Sequence, residues 1–308
     1  MNCWRDLARQ SAHGKRYRKL FILLSHAVKT APKMGIVMEK KIFFTDLDET
    51  LLTREKTMTP ATVAAVEKLT GAGHYLAFIS GRPLDSIIEA RALLPVSNRG
   101  LYYIANNGGL IVDAETGEHI SEIRLTMDEV RYLMNACEAA GIHFHTYTDD
   151  TIIAKSQTPE LTFYQKTIHL PLRYTEDIPS ALTQPPFKCL AISLEGRSRL
   201  EALRDSLLPW AEGHVSLICS TDRLLEMFPA SSGKGAALIR LAEYLNVPIE
   251  NTMSAGDQDN DISMLKAAGL GVAMCNGSEG ARAAADAVTK TDNNHDGLVP
   301  FLETFFGV

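Results

Sequence analysis

The chain has 308 residues, 31 Lys+Arg against 37 Asp+Glu for a formal charge of -6, an apolar share of 45% and a charged share of 22%. That composition belongs to a globular protein of about two domains and excludes intrinsic disorder, a collagen and a disulfide-stapled miniprotein. A membrane span is excluded too, because apolar runs such as 21–24 and 75–79 are far short of about 20 residues.

The charge is unevenly spread. Residues 1–41 hold ten Lys/Arg against Asp6 and Glu39, a balance of +8, which leaves 21 bases and 35 acids, or -14, on the remainder. An acidic bulk argues against nucleic acid as a partner, since backbone binding needs a positive surface. It leaves room for a small phosphorylated substrate met by a local field. Cys3, Cys137, Cys189, Cys219 and Cys275 form no close pair and no metal-like spacing, which points to a reducing, cytoplasmic compartment. Residues 1–40 read as a basic N-terminal extension without a catalytic role, and Met34 and Met38 are alternative starts just ahead of the first strand. The sequence names no oligomeric partner.

In chain order, the apolar run 41–46 lacks the alternation of a half-exposed strand and reads as a buried strand of a parallel sheet. Thr59-Pro60 supplies an N-cap and a pre-formed first helical residue for a helix through Val63, Val66 and Leu69, stopped at Gly71 and Gly73. A strand at 75–79, a helix at 84–94 and short strands at 102–105 and 109–112 follow. Strand alternating with helix predicts an α/β fold with a doubly wound, mostly parallel sheet.

The middle changes character. Thr126-Met127-Asp128-Glu129 is a capping box, opening a helix with Val130, Leu133, Met134 and Cys137 on one side. Strands at 142–147 and 151–155, a helix from Pro159 and a break at Pro179, Pro185 and Pro186 come next. The pattern then recurs: a strand at 189–194, a second box at Ser198-Arg199-Leu200-Glu201, its helix, and strands at 214–219 and 224–228. Two helix-plus-hairpin units predict an α+β domain at 123–225 inserted into a sheet domain made of 41–122 and 226–308. The second half of that domain offers a helix at 235–245, a strand at 251–255, a helix at 262–268, a strand at 270–274, and a closing helix, short strand and helix.

Open parallel sheets place their sites outside the carboxyl ends of the strands. Three such ends carry polar groups: Asp46-Leu47-Asp48, Ser80-Gly81-Arg82, and Gly256-Asp257-Gln258-Asp259-Asn260-Asp261, with Lys234 just before the preceding helix. A phosphate monoester is a dianion that repels an attacking carboxylate unless cations neutralise the site. Mg²⁺ takes carboxylate, water and phosphate oxygens as ligands. Lys234, Ser80 and backbone amides can cradle the equatorial oxygens. Of two neighbouring carboxylates, one can attack phosphorus while the other moves the proton. The residues alone leave a bare metal site or a phosphoryl switch open. Two competing motifs fail: Asp257-x-Asp259-x-Asp261 has Ile262 and Ala268 where an EF-hand loop needs Gly and Glu, and Ser232-Gly233-Lys234-Gly235 lacks the first Gly and terminal Ser/Thr of a P-loop.

FFTDLDETLL at 43–52, FISGRP at 78–83, Asn107-Gly108, Lys234-Gly235, GDQDNDISML at 256–265 and GVAMCNG at 271–277 stand in this order along the chain. With the inserted domain between the second and later motifs, the chain resembles the haloacid dehalogenase-like (HAD) hydrolase superfamily. Within it the likeness is to the Cof-type, subfamily IIB sugar phosphatases with a type C2B cap. The resemblance runs from about residue 40 to the end. It implies an Mg²⁺-dependent phosphomonoester hydrolase of small phosphorylated metabolites, sugar phosphates foremost. It implies Asp46 as the nucleophile that becomes a phospho-aspartate and Asp48 as the acid and base. Mg²⁺ would be held by Asp46, the Asp48 carbonyl and Asp257, with Asp261 as ligand or support. Ser80 and Lys234 would bind phosphate, and Asn260 would brace the metal loop. Glu49 replaces the usual Gly after the second Asp, and its backbone is expected at negative φ. The alternatives are a sugar phosphomutase of the same superfamily and a non-enzymatic phosphate-responsive switch. His143, His145 and Tyr147 alternate along one strand and share a face, so they are candidates for the cap side of the substrate cleft, as are Arg173, Lys188 and Glu195. Exposed or sheet-covering positions are the other reading, and no third ligand makes the histidines a zinc site.

Overall fold

The computed structural model describes residues 39–148 and 150–308; the basic extension and the alternative starts at Met34 and Met38 lie outside them up to residue 38. The first stretch runs β1 (Ile42–Thr45), α1 (Pro60–Gly71), β2 (Tyr75–Ile79), α2 (Leu84–Ala92), β3 (Leu101–Ala105), β4 (Leu110–Asp113) and β5 (His119–Glu122). The middle runs α3 (Met127–Ala139), β6 (His143–Tyr147), β7 (Ile152–Ala154), α4 (Pro159–Tyr164), β8 (Leu172–Tyr174), α5 (Ile178–Ala181), β9 (Cys189–Ile192), α6 (Arg197–Ala211), β10 (Val215–Thr221) and β11 (Leu224–Pro229). The chain closes with α7 (Lys234–Tyr244), β12 (Thr252–Gly256), α8 (Ile262–Ala267), β13 (Leu270–Ala273), α9 (Glu279–Ala284), β14 (Ala287–Val288) and α10 (Val299–Phe306).

An eight-stranded sheet takes the order β14-β13-β12-β1-β2-β3-β4-β5. It is parallel from β14 to β3 and antiparallel at β4 and β5. Every residue of β1 is buried, because alternate side chains enter two different cores. Phe43, with Phe78 and Met253, packs toward Val66, Leu69, Leu302 and Phe306 of α1 and α10. Ile42 and Phe44 pack the other way, on Leu238, Leu241 and Met264 of α7 and α8. A six-stranded sheet, β10-β11-β9-β6-β7-β8, forms the cap. One of its faces is covered by α3 and α6 through Val130, Leu133, Cys137, Leu200, Leu203 and Leu207.

Thr59 and Thr126 cap their helices as the pattern requires, the second with both bonds of the capping box. The second expected box does not form: α6 begins at Arg197 after Gly196, without a side-chain cap. Glu201 instead pairs with Arg197 one turn away. Two short strands with a single aliphatic residue each, Ile120 in β5 and Leu172 in β8, were not foreseen. Both are edges that end their sheets and are otherwise polar or exposed, so burial left too short a mark on their sequence to read.

Candidate active site

β1 and β12 lie side by side in parallel, with Thr45 opposite Ala255. The residues that follow each strand, Asp46 and Asp257, therefore emerge at one edge of the sheet. The carboxylates of Asp46, Asp257 and Asp261 lie within 4.8 Å of one another, and all three residues are buried. Lys234, the first residue of α7 and 1% exposed, donates from Nζ to Asp46 Oδ1 at 2.6 Å and to Asp261 Oδ1 at 2.5 Å. Asp261 turns its other oxygen to the loop, accepting from the backbone N–H groups of Asp257 and Gln258, both at 2.9 Å. Asp257 accepts from Thr50 Oγ1 at 2.9 Å and from Gln258 Nε2 at 2.9 Å.

Three buried acids share one ammonium. Burial drives the Asp46 carboxyl well above the usual carboxylate range; Lys234 opposes this, while Asp261, Asp257 and Asp48 add to it. Burial, then the Asp261 charge, pushes Asp257 up to about 6, against its bonds to Gln258 and Thr50. Burial works to lower the Lys234 pKa, but Asp261 and Asp46 outweigh it and raise it above the usual lysine range. Excess negative charge in a low-dielectric pocket of oxygen donors suits a hard divalent cation, and the three carboxylates can hold a metal ion.

The Asp48 carboxylate is directed elsewhere. Arg82 grips both its oxygens, Nε to Oδ2 at 2.8 Å and Nη2 to Oδ1 at 2.7 Å, and Lys56 Nζ adds a contact at 2.7 Å. Burial works to raise its pKa, but Arg82 and then Lys56 outweigh that and hold the group below the usual range. Ser80 is buried at the end of β2. Its Oγ accepts from the Arg82 backbone N–H at 3.2 Å. Asn260 is half-buried in the 3-10 turn Asp259–Asp261, while the bonds described above that tie this loop come from Asp261. Asp259 accepts from Ser278 Oγ at 2.7 Å and faces Arg197 of the cap at 3.4 Å.

Two expectations are corrected. Glu49 stands at φ +57, not at negative φ; the turn demands a left-handed residue, and Asn276 Nδ2 donates to the Glu49 carbonyl at 2.9 Å. His145 does not open onto a cleft, because it is fully buried in a chain of polar groups. Thr158 Oγ1 meets His143 Nδ1 at 3.0 Å, His143 Nε2 meets His145 Nδ1 at 3.0 Å, His145 Nε2 meets Tyr147 Oη at 2.9 Å, and Tyr147 donates to Tyr164 Oη at 2.5 Å. Lys188 is buried too, turned to Gly81 and Glu226, whereas Arg173 and Glu195 are exposed. The sequence reading passed over Arg82, Thr50 and Glu226. The first two sit inside quoted motifs, and Glu226 is the one acid in an otherwise apolar strand, itself a sign of a buried charge.

Residues 43–302 match the family model of the haloacid dehalogenase-like hydrolases. A putative phosphatase of Streptococcus pyogenes serotype M6 is 28% identical over 259 residues, spanning 83% of this chain and 95% of that protein. A solved haloacid dehalogenase-like hydrolase from Bacteroides thetaiotaomicron superposes with a TM-score of 0.74 at 27% identity, over 86% of this chain and 99% of its own. A solved HAD subclass IIB sugar phosphatase has the same fold, with a TM-score of 0.72 at 23% identity over 87% of this chain and 100% of its own. The chain belongs to the haloacid dehalogenase-like hydrolases, on the Cof-type side of the family, and is a phosphatase with a core sheet and a cap. Among the described residues no helix is long and apolar enough to cross a membrane.

Proposed function

We propose that the chain hydrolyses phosphomonoesters of small phosphorylated metabolites, sugar phosphates foremost, with Mg²⁺ and through a phospho-aspartate on Asp46. The observation that carries this reading is the buried cluster of Asp46, Asp257, Asp261 and Lys234 at the carboxyl ends of β1 and β12. Asp46, Asp257 and the Asp48 carbonyl would hold Mg²⁺, with Asp261 as ligand or support and Asn260 in the bracing turn. When bound, the ion supplies positive charge that offsets the phosphate dianion. Lys234 and the Ser80 hydroxyl bind the phosphoryl oxygens and stabilise them as Asp46 attacks phosphorus. The ester P–O bond breaks as the Asp46–phosphorus bond forms, and the departing oxygen takes its proton from Asp48. Water then attacks the phosphoryl group and gives a proton to Asp48, releasing Asp46 and inorganic phosphate. The ionised Asp48 held by Arg82 and Lys56 is the form this second half needs, and the proton it takes from water there is the one it gives to the departing oxygen of the next turnover.

A cap at about 123–229, with β11 as its last strand, would exclude water during attack and select the leaving group. The fold shared with a sugar phosphatase supports the substrate class, and the free thiols of Cys137, Cys189, Cys219 and Cys275 support a cytoplasmic setting. Asp46→Asn is expected to lower Mg²⁺-dependent phosphate release from an aryl phosphate by about 10³-fold or more. Undiminished turnover would overturn the assignment of the nucleophile. Net phosphate release, as opposed to interconversion of sugar phosphates, separates hydrolysis from mutase chemistry.

A further inference from the structure

The seam between cap and core carries a buried ion pair that the catalytic cluster does not use. Lys188, directly before β9, and Glu226, in β11, meet at 2.7 Å with side chains 3% and 8% exposed. Each also reaches out of the cap. Lys188 Nζ donates to the carbonyl of Gly81 at 2.5 Å. Glu226 Oε2 accepts from Asn107 Nδ2 at 2.6 Å.

These two core contacts bracket one loop. The backbone N–H of Asn107 donates to the Ser80 carbonyl at 3.0 Å, and that of Asn106 to the Arg82 carbonyl at 2.9 Å. Ser80-Gly81-Arg82 is therefore held by Lys188 at its centre and by Asn106 and Asn107 at its ends, and Glu226 holds both Lys188 and Asn107. The fit is close: a Cβ on Gly81 would stand 3.1 Å from Glu226 Oε1 and 3.1 Å from Asn107 Oδ1. Asn106 and Asn107 are both left-handed, at φ +51 and +56, a backbone cost that persists only where the surroundings demand it. Apolar side chains would join cap to core with less desolvation. An ion pair at this place is explained by what it aims at, a carbonyl and an amide of the loop that carries Ser80 and Arg82.

We infer that Lys188 and Glu226 are positioning residues: seating of the cap fixes the Ser80–Arg82 loop, and through it the Ser80 hydroxyl and the Arg82 grip on Asp48. The inference rests on the phosphatase reading above. It makes the catalytic arrangement complete only while the cap is seated, so that hydrolysis is coupled to cap position through this loop.

The double variant Lys188→Met with Glu226→Met removes both ties without stranding a buried charge. It is compared with the wild type for Mg²⁺-dependent phosphate release from p-nitrophenyl phosphate, for thermal melting, and for hydrogen exchange of the peptide spanning 78–83. The expected result is a melting temperature close to wild type, kcat lower by about tenfold or more with little change in KM, and faster exchange at 78–83. A variant that melts as wild type and keeps kcat within about twofold, or whose exchange at 78–83 is unchanged, overturns the inference. Should the double variant not fold, Glu226→Gln keeps the shape of the pair and is held to the same two readouts. Absence of turnover in the wild type would sink the phosphatase reading instead, and the exchange measurement would still decide whether the pair holds the loop.

Discussion

At Glu49 an ordinary L-residue occupies a left-handed backbone, φ +57. A side chain there costs about 1–2 kcal/mol, while glycine would return about 0.4–1 kcal/mol through the freedom of the unfolded chain. The difference favours Glu49→Gly by roughly 0.5–1 kcal/mol, or about 1–4 °C in Tm for a chain of this size. The expected outcome is a higher melting temperature with Mg²⁺-dependent phosphate release retained; a lower Tm would mean that the Glu49 side chain itself supports the turn. Single residues were unevenly legible. Asp46, Asp257, Asp261 and Lys234 stand in motifs, and their convergence follows from parallel strands ending at one edge. The conformation of Glu49 was misread, because φ depends on the turn that Asn276 closes from 227 positions away in the chain. Arg82 was seen only as part of a turn, since its partner Asp48 lies on a different strand end.

Helix α7 shows how an element can be set by its neighbour against its own preference. By propensity alone Gly235→Ala should favour the helix by about 1 kcal/mol. A Cβ at 235, however, would meet the Ser263 carbonyl oxygen at 2.5 Å and its carbon at 2.7 Å, and backbone cannot swing aside as a side chain can. Overpacking of this kind costs about 1–3 kcal/mol, so the clash wins. Lys234 is the adjacent residue, and displacing α7 moves its ammonium from Asp46 and Asp261. Gly235→Ala is expected to lower Tm by several degrees and phosphate release by about tenfold or more, checked by a melt and a steady-state assay; a stabilised, fully active variant would refute the packing argument. Elements with an apolar period or a cap signature were legible along the chain, α1, α3 and β1 among them. The start of α6 was not: Gly196 ends the preceding turn at φ +108 and takes the place that Ser198 was expected to fill.

Across the whole molecule, acid acts with opposite signs on the buried cap histidines and on the raised acids of the core site, while His74 and Asp48, both lowered, side with the histidines. In the cap, burial lowers His143 to about 4, with Glu160 opposing. His145 is lowered well below its usual value by burial, then by His143 and Lys188; its other neighbours, the rings of Tyr147 and Tyr164, offer no counter-charge. The unfolded histidines take up protons from about pH 6.5, so cap stability falls as pH drops below that value toward about 4. In the core, Asp46 and Asp257 are raised. Between about pH 4 and the raised value the folded state binds the extra proton, so the core site gains stability as pH falls. Taking the protein from pH 7 to pH 4.5 is therefore expected to lower hydrogen-exchange protection, referred to the slower intrinsic exchange in acid, more in β6 and β9 than in β12; the reverse order would contradict these shifts. Sequence by itself determined the layered α/β core, the inserted α+β cap and the acids at the strand ends, because buried strands, helix caps and strand-end motifs are local patterns of side chains. Tertiary structure alone decided where the cap meets the core, that Lys188 and Glu226 tie the Ser80–Arg82 loop, and that His145 is enclosed. Those outcomes depend on which distant groups share a low-dielectric space, and no spacing along one chain encodes that directly.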